Sequence, residues 1–541
     1  MAEATNPAAT GATADQRFEA LVEARFRWSV EHSPVFGSFL GLHEFDDRLS
    51  DGTRESVLED LAVARDFLGQ LEELEPASLS AANRIERELA LLTTRRRIFD
   101  LDVARQWERR GSVTDEVGEA VFVLFARGSR PLADRLMSVA ARLEQVPRLA
   151  RERRSHLGEH PQRLWNELEI DAAGSLPALF GEVITAAEAE FGDGAAETGR
   201  LRAASAAAAA ALDDYTSWLR EQIGRADDDF ALGGDAYDEL IELRAFDGLD
   251  ADQILEIGQQ QLAEQKAARV AVAREIDATA SEAEVLDRVK SNQPRDFEAA
   301  LAGYRRAMDE AKAFIAEQGI CSIPAAEKLS VVPTPEFLRK VIPFAAYFPP
   351  AKFEPVREGV YIVTPSVDGD ARAMREHNWA SIYNTSIHEA FPGHHLQLSA
   401  ALDHPSLVRL LVDAPEFVEG WAMYCEQMMR EEGFDTTAEH RLMMHTDAIW
   451  RACRIILDVR LQRREMGIDQ AVDFLVEHTG FERPNATAEV HRYTLTPSYP
   501  LSYLLGRVLL LRLRADEQRR LGADFSLRGF HDALLREGSI P

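Results

Sequence analysis

His388-Glu389-Ala390-Phe391-Pro392-Gly393-His394-His395 is the stretch on which the reading of this chain turns. A His-Glu pair with more histidine a turn or two later is how many zinc hydrolases begin their site. One histidine binds the metal, the adjacent glutamate takes a proton from the attacking water, and a second histidine further along binds the metal again. The usual second position, four residues on, is Pro392, which cannot ligate. On an ideal helix His395, seven residues from His388, returns to nearly the same face, whereas His394 does not. Pro392 makes an ideal helix impossible here: it lacks an N–H and its ring clashes with the carbonyl of residue 388. Gly393 tolerates unusual dihedrals, so a kink at this pair would swing His394 back toward His388. His394 is the expected second ligand and His395 the alternative.

A site of this kind needs a third protein ligand and keeps one position open. Downstream stands Val418-Glu419-Gly420-Trp421-Ala422-Met423-Tyr424-Cys425-Glu426. Glu419 lies in a mostly apolar segment, and carboxylates are seldom buried unless paired or bound to a metal. Glu426, seven residues on, shares its helical face. It is a candidate acceptor for the N–H of a ligand histidine, a less favoured ligand, or a solvated surface acid. Further on, Glu489 to Tyr503 holds three of the chain's ten tyrosines, together with His491 and Arg492. Tyrosine or histidine can donate to a developing oxyanion. Arg492 either clamps a substrate carboxylate in bidentate fashion or pairs with Glu489, three residues before it.

The surroundings read as helix. Phe18, Leu21, Val22, Phe26 and Val30 follow helical spacing. Asp250 with Gln253, and Thr436 with Glu439, make capping boxes. Residues 201–212 are nearly all alanine, the best helix former. Only 329–332, 343–348 and 359–364 read as strands, short and β-branched or aromatic, just upstream of His388.

Composition excludes some functions. With 541 residues, 46% hydrophobic and 28% charged, the chain has the make-up of a globular protein. A net charge of -30 argues against sequence-independent binding of nucleic acid. Three cysteines, Cys321, Cys425 and Cys453, match no zinc-thiolate spacing or disulfide framework. Residues 1–14 carry no basic and apolar targeting pattern and read as a disordered tail. No apolar run of membrane-spanning length is visible, so no membrane partner is expected. A cytoplasmic location is the default expectation.

Taken together, His388-Glu389-x-x-Pro392-Gly393-His394-His395-x-Gln397, Glu419-Gly420-Trp421-Ala422-x-Tyr424 and Arg492-Tyr493-x-x-x-Pro497 resemble the bacterial DUF885 family. The resemblance begins near Ser33-Pro34 and runs to Gly538-Ser539-Ile540-Pro541. It implies a mostly α-helical zinc peptidase, distantly similar to helical gluzincins such as the thimet-oligopeptidase and Taq-type carboxypeptidase groups. By that similarity His388, His394 and Glu419 are the ligands, Glu389 the general base, and the tyrosine segment the source of transition-state donors. One departure matters. The family commonly has Pro-Gly-Gln-Ala-x-x-Tyr where this chain has Pro497-Ser498-Tyr499-Pro500-Leu501-Ser502-Tyr503, so contacts of that Gly-Gln do not carry over.

The expectation is therefore a mainly α zinc metallopeptidase, a large helical bundle with a deep cleft and a small sheet next to the metal helix. Residues 15–325 would form one cleft wall and 326–541 the catalytic part. One Zn2+ would be bound per chain, and short peptides or another amide would be hydrolysed. Tyr493 or Tyr503, with His491, would stabilise the oxyanion, and Arg492 and Tyr499 would contact substrate. Two other readings stand beside this one: a zinc amidohydrolase acting on a modified or non-peptide amide, and an inactive helical binding protein.

Overall fold

A computed structural model describes residues 13–128, 130–334, 345–365 and 374–541. The fold is mainly α with one small sheet. Local sequence signals account for many helix starts. Thr13 and Gln16 form a capping box, so the first helix is Ala14–His32, and it buries Phe18, Val22, Phe26 and Val30. The expected tail at 1–14 thus loses its last two residues to this helix and cap, and the rest lies outside the described residues. Asp250 and Gln253 open the helix Ala251–Ile276 as expected. The second expected box shifts by one residue: Thr437, not Thr436, caps Ala438–Gln462 and accepts from the His440 N–H. The alanine-rich helix Ala196–Ile223 buries Ala204, Ala208 and Leu212, in a core shared with Arg163–Phe191. By length and composition Arg163–Phe191 is apolar enough to cross a membrane, contrary to the sequence expectation. Its Leu176, Leu179, Phe180 and Val183 are nevertheless buried in that core.

The sheet has the order β1-β3-β2, with β1 Lys328–Pro333, β2 Ala345–Phe348 and β3 Glu358–Val363. β1 runs parallel and β2 antiparallel to the central β3. Residues 343–344, expected in the second strand, lie outside the described residues. Side chains alternate across the sheet, as the period of two requires. Val332, Ala346, Phe348, Val360 and Ile362 face one helical core. Val331, Tyr347, Tyr361 and Val363 face the other, which contains the His388 helix. The sheet is thus a partition between two helical bodies.

Shared cores run across residue 325, between the two parts expected of one unit. Tyr237, Ile254 and Ile257 share one core with Ile455, Ile456, Val490 and Leu505. Helix Ala251–Ile276 lies so close to Ala438–Gln462 that a Cβ on Gly258 would sit 2.8 Å from Ile455 Cγ2. Helix Phe297–Gln318 packs directly on the His388 helix, Gly303 facing Trp379 and Ile382. Helices upstream of residue 325 therefore support the helices that carry His388 and Glu419.

Candidate metal centre

The His388 helix, Trp379–Glu389, begins at Asn378, whose side chain accepts from the Ser381 N–H. It stops at Ala390, and a second helix, His394–Ala401, starts four residues later. Pro392, joined to Phe391 by a cis peptide bond, and Gly393 make the break. Gly393 is required by close approach: its N–H donates to the Ile387 carbonyl at 3.1 Å. A Cβ there would lie 1.8 Å from the His388 carbonyl oxygen. The break places the His388 and His394 rings edge to face, with centroids 4.7 Å apart.

Glu419 comes from a third helix, Pro415–Glu431. Two contacts set its position. Trp421, fully buried, donates its indole N–H to the Pro392 carbonyl at 2.7 Å, tying this helix to the break. On the opposite side Gly420 meets Gly506 of helix Ser502–Leu521 at backbone distance; a Cβ on Gly506 would lie 1.9 Å from the Glu416 carbonyl oxygen. Glu419 Oε2 consequently lies 3.7 Å from His388 Nε2 and 3.3 Å from His394 Nε2. The three side chains offer ligand atoms that all lie within 4.8 Å of one another.

The surrounding groups fit a cation. His388 Nδ1 is 2.8 Å from Glu426 Oε1, which leaves Nε2 facing the cluster. Asn384 holds Glu426 from the same helix as His388, with Nδ2 3.1 Å from Oε2. Arg430 in turn donates to Asn384 Oδ1 at 3.0 Å. Burial disfavours charge on His388, yet the nearby carboxylates of Glu419 and Glu426 outweigh it and lift its pKa to about 10. Burial likewise opposes ionisation of Glu419, and the neighbouring His394 and His388 hold its carboxyl well below the usual carboxylate range. Glu419 Oε2 is buried without a hydrogen-bond partner among the described residues. A buried carboxylate oxygen beside two imidazole rings calls for a positive charge next to it, supplied by a protonated ring or by a bound cation. Two histidines and one carboxylate, with the remaining position open, form a donor set that suits zinc.

His395 points elsewhere. It is fully buried, with Nδ1 2.9 Å from Tyr347 Oη and Nε2 2.7 Å from Glu327 Oε1. Both ring nitrogens are engaged in joining the helix break to β2 and β1's approach, and straight-helix geometry does not apply. Gly359 of β3 makes room for this pair, since a Cβ there would meet His395 Nδ1 at 2.5 Å. Glu389 is half-buried and, among the described residues, makes no hydrogen bond or ion pair. Its charge is felt by His388 and by Tyr304, Tyr347 and Tyr361 on the sheet side.

The tyrosine segment divides. Tyr499 donates to Glu419 Oε1 at 3.2 Å, and its hydroxyl is 3.2 Å from that of Tyr503. Both are half-buried, and burial with the nearby Glu419 raises both hydroxyls above their usual pKa, so they remain neutral donors. Tyr493 is different. It is fully buried and its hydroxyl is taken by Glu489, Trp450 and Arg454 at 2.7, 3.1 and 3.1 Å. Arg492 pairs with Glu489 at 2.8 Å. His491 and Arg492 line a surface groove with Leu168, Pro484 and Thr487, whose lining includes none of the three clustered ligands. Sequence reasoning missed Asn384, although its spacing of four from His388 was a usable signal, and missed that Tyr499 contacts Glu419 itself.

Solved structures share this architecture. "A putative lipoprotein of unknown function from Shewanella oneidensis" aligns with a TM-score of 0.78 at 23% identity, covering 98% of both chains. "The putative lipoprotein from Colwellia psychrerythraea" aligns with a TM-score of 0.82 at 18% identity, covering 98% of this chain and 97% of that one. Both carry the description putative lipoprotein, which corrects the expectation of a cytoplasmic location; that expectation rested on an N-terminus without a targeting pattern and the lack of a visible membrane-spanning run. No curated protein matches. The family model for DUF885, a bacterial protein of unknown function, matches residues 34–541, nearly the whole length. The chain belongs to the DUF885 family.

Proposed function

We propose that this protein is a zinc-dependent peptidase that hydrolyses short peptides. The observation that carries the reading is the buried convergence of His388 Nε2, His394 Nε2 and the unpartnered Glu419 Oε2, with Glu426 fixing the His388 ring from behind. His388, His394 and Glu419 hold the ion. Bound zinc supplies Lewis acidity, polarising a carbonyl and lowering the pKa of water toward roughly 7. Glu389, adjacent to a ligand and without a hydrogen bond among the described residues, takes the proton of the attacking water and returns it to the leaving amine. Tyr503 donates to the developing oxyanion, while Tyr499, hydrogen-bonded to Glu419, orients that ligand; the neutral Tyr503 hydroxyl, 3.2 Å from that of Tyr499, is favoured over Tyr493 and His491. β2 has an unpaired edge among the described residues, where an extended peptide backbone can add as a further strand.

Turnover of Glu389→Gln on a mixed peptide library tests this reading. The variant is expected to keep its zinc and lose about 10²–10⁴-fold in kcat. Near-parental turnover removes Glu389 from the mechanism. A parent enzyme that cleaves acylated small molecules and no peptide transfers the site to amidohydrolase chemistry.

A further inference from the structure

Asp458 lies on helix Ala438–Gln462 and is fully buried. Its Oδ2 accepts the Tyr237 hydroxyl at 2.7 Å. Its two oxygens also take the Ser498 backbone N–H, at 3.2 and 2.9 Å. Burial pushes this carboxyl up to about 7, against the pull of Tyr237, the Ser498 N–H and the more distant Arg244. A carboxyl group in a core otherwise made of Tyr237, Ile455, Val459 and Leu501 is expensive, and an apolar side chain would fill the space at lower cost.

What Asp458 holds is a strained turn. Ser498 has a left-handed backbone, φ 66°, in the connection between helices Arg483–Leu495 and Ser502–Leu521. Serine is disfavoured there, and glycine is the usual occupant of such a conformation. Two hydrogen bonds to Asp458, and Ser502 Oγ donating to the Ser498 carbonyl at 3.1 Å, keep it so. The next residue is Tyr499, whose hydroxyl meets Glu419 Oε1. The direction in which Tyr499 leaves the backbone is set by the dihedrals of this turn.

We propose that Asp458 is a positioning residue for the metal centre: it locks the Ser498 turn so that Tyr499 stays hydrogen-bonded to the Glu419 ligand. The inference rests on the zinc reading above and extends it to a residue that touches neither metal nor substrate. A loosened turn lets the Tyr499 hydroxyl leave Glu419, and the carboxylate loses the partner that orients it.

Zinc affinity, measured by competition with a chelating dye, is the test, on the full chain as parent, Asp458→Asn, Tyr499→Phe and the double variant. Each single variant is expected to lose about tenfold in affinity, the scale of partners that orient a ligand. The double variant is expected to lose no more than the worse single one, because both act through one hydrogen bond. Unchanged affinity in Asp458→Asn, or losses that multiply in the double variant, would overturn the proposal. If Asp458→Asn does not fold, Tyr237→Phe replaces it: a smaller loss that vanishes on the Tyr499→Phe background is expected, and no loss overturns it. Absence of zinc uptake by the parent is read before any variant and removes the metal-centre reading itself, and this inference with it.

Discussion

On the zinc reading, a proton and the metal compete for one nitrogen of His388. Burial disfavours the charged ring, but Glu419 and Glu426 lift its pKa to about 10, so the metal-free protein holds a histidinium at neutral pH. That pKa exceeds the unfolded value, so its contribution to stability is complete below about pH 6.5 and is lost as the pH rises through about 10. Zinc binding as proposed must expel that proton. Titration calorimetry in two buffers of different ionisation enthalpy is expected to show about one proton released per zinc, with affinity rising as pH rises. Heats that do not depend on the buffer would contradict the charged state. His394 and His395 separate just as sharply. His394→Ala is expected to abolish zinc binding, because it removes a ligand. His395→Ala is expected to keep zinc and to lower stability by about 1–3 kcal/mol, because Glu327 and Tyr347 lose a buried partner. Zinc content and thermal unfolding of the two variants check this pair of outcomes, and the reverse pattern would return His395 to the metal.

Two glycines shape the site at the level of elements. Gly393 lets the helix break fold back on His388, and Gly506 lets helix Ser502–Leu521 touch the Glu419 helix. Gly506→Ala is expected to push these helices apart, costing about 1–3 kcal/mol and weakening zinc binding by moving Tyr499 off Glu419. Chemical denaturation and dye competition measure both; a variant as stable as the parent would show that the crossing is not a tight constraint. The break at Pro392-Gly393 was legible in the sequence because proline and glycine act locally. The same holds for Asp250-Gln253 and for the three strands. The Gly420–Gly506 crossing was not legible, since nothing within either segment marks what will pack on it. For the same reason the roles of the tyrosines were mixed: Tyr493 meets Glu489 one helical turn before it, whereas only tertiary packing sends Tyr499 to Glu419.

Across the whole molecule, the cores join distant parts of the chain. Helix Ala251–Ile276 and helix Ala438–Gln462 share buried residues, and the sheet packs helical bodies on both of its faces. A fragment of residues 326–541 would expose the Ile455 and Ile456 surface that Ala251–Ile276 covers. It is expected to lack a cooperative unfolding transition, whereas the full chain is expected to unfold with coincident far-UV and near-UV changes. A fragment that unfolds cooperatively would show that this core does not need helix Ala251–Ile276. Long-range helix pairing of this kind leaves no local mark in the sequence. The central claim, that this fold converges on one metal, is tested most directly by diffraction from crystals of the chelator-free protein, recorded on either side of the zinc absorption edge. The expected result is a single anomalous peak between His388 Nε2, His394 Nε2 and Glu419 Oε2. No peak after zinc soaking, or a peak on His395, would contradict it.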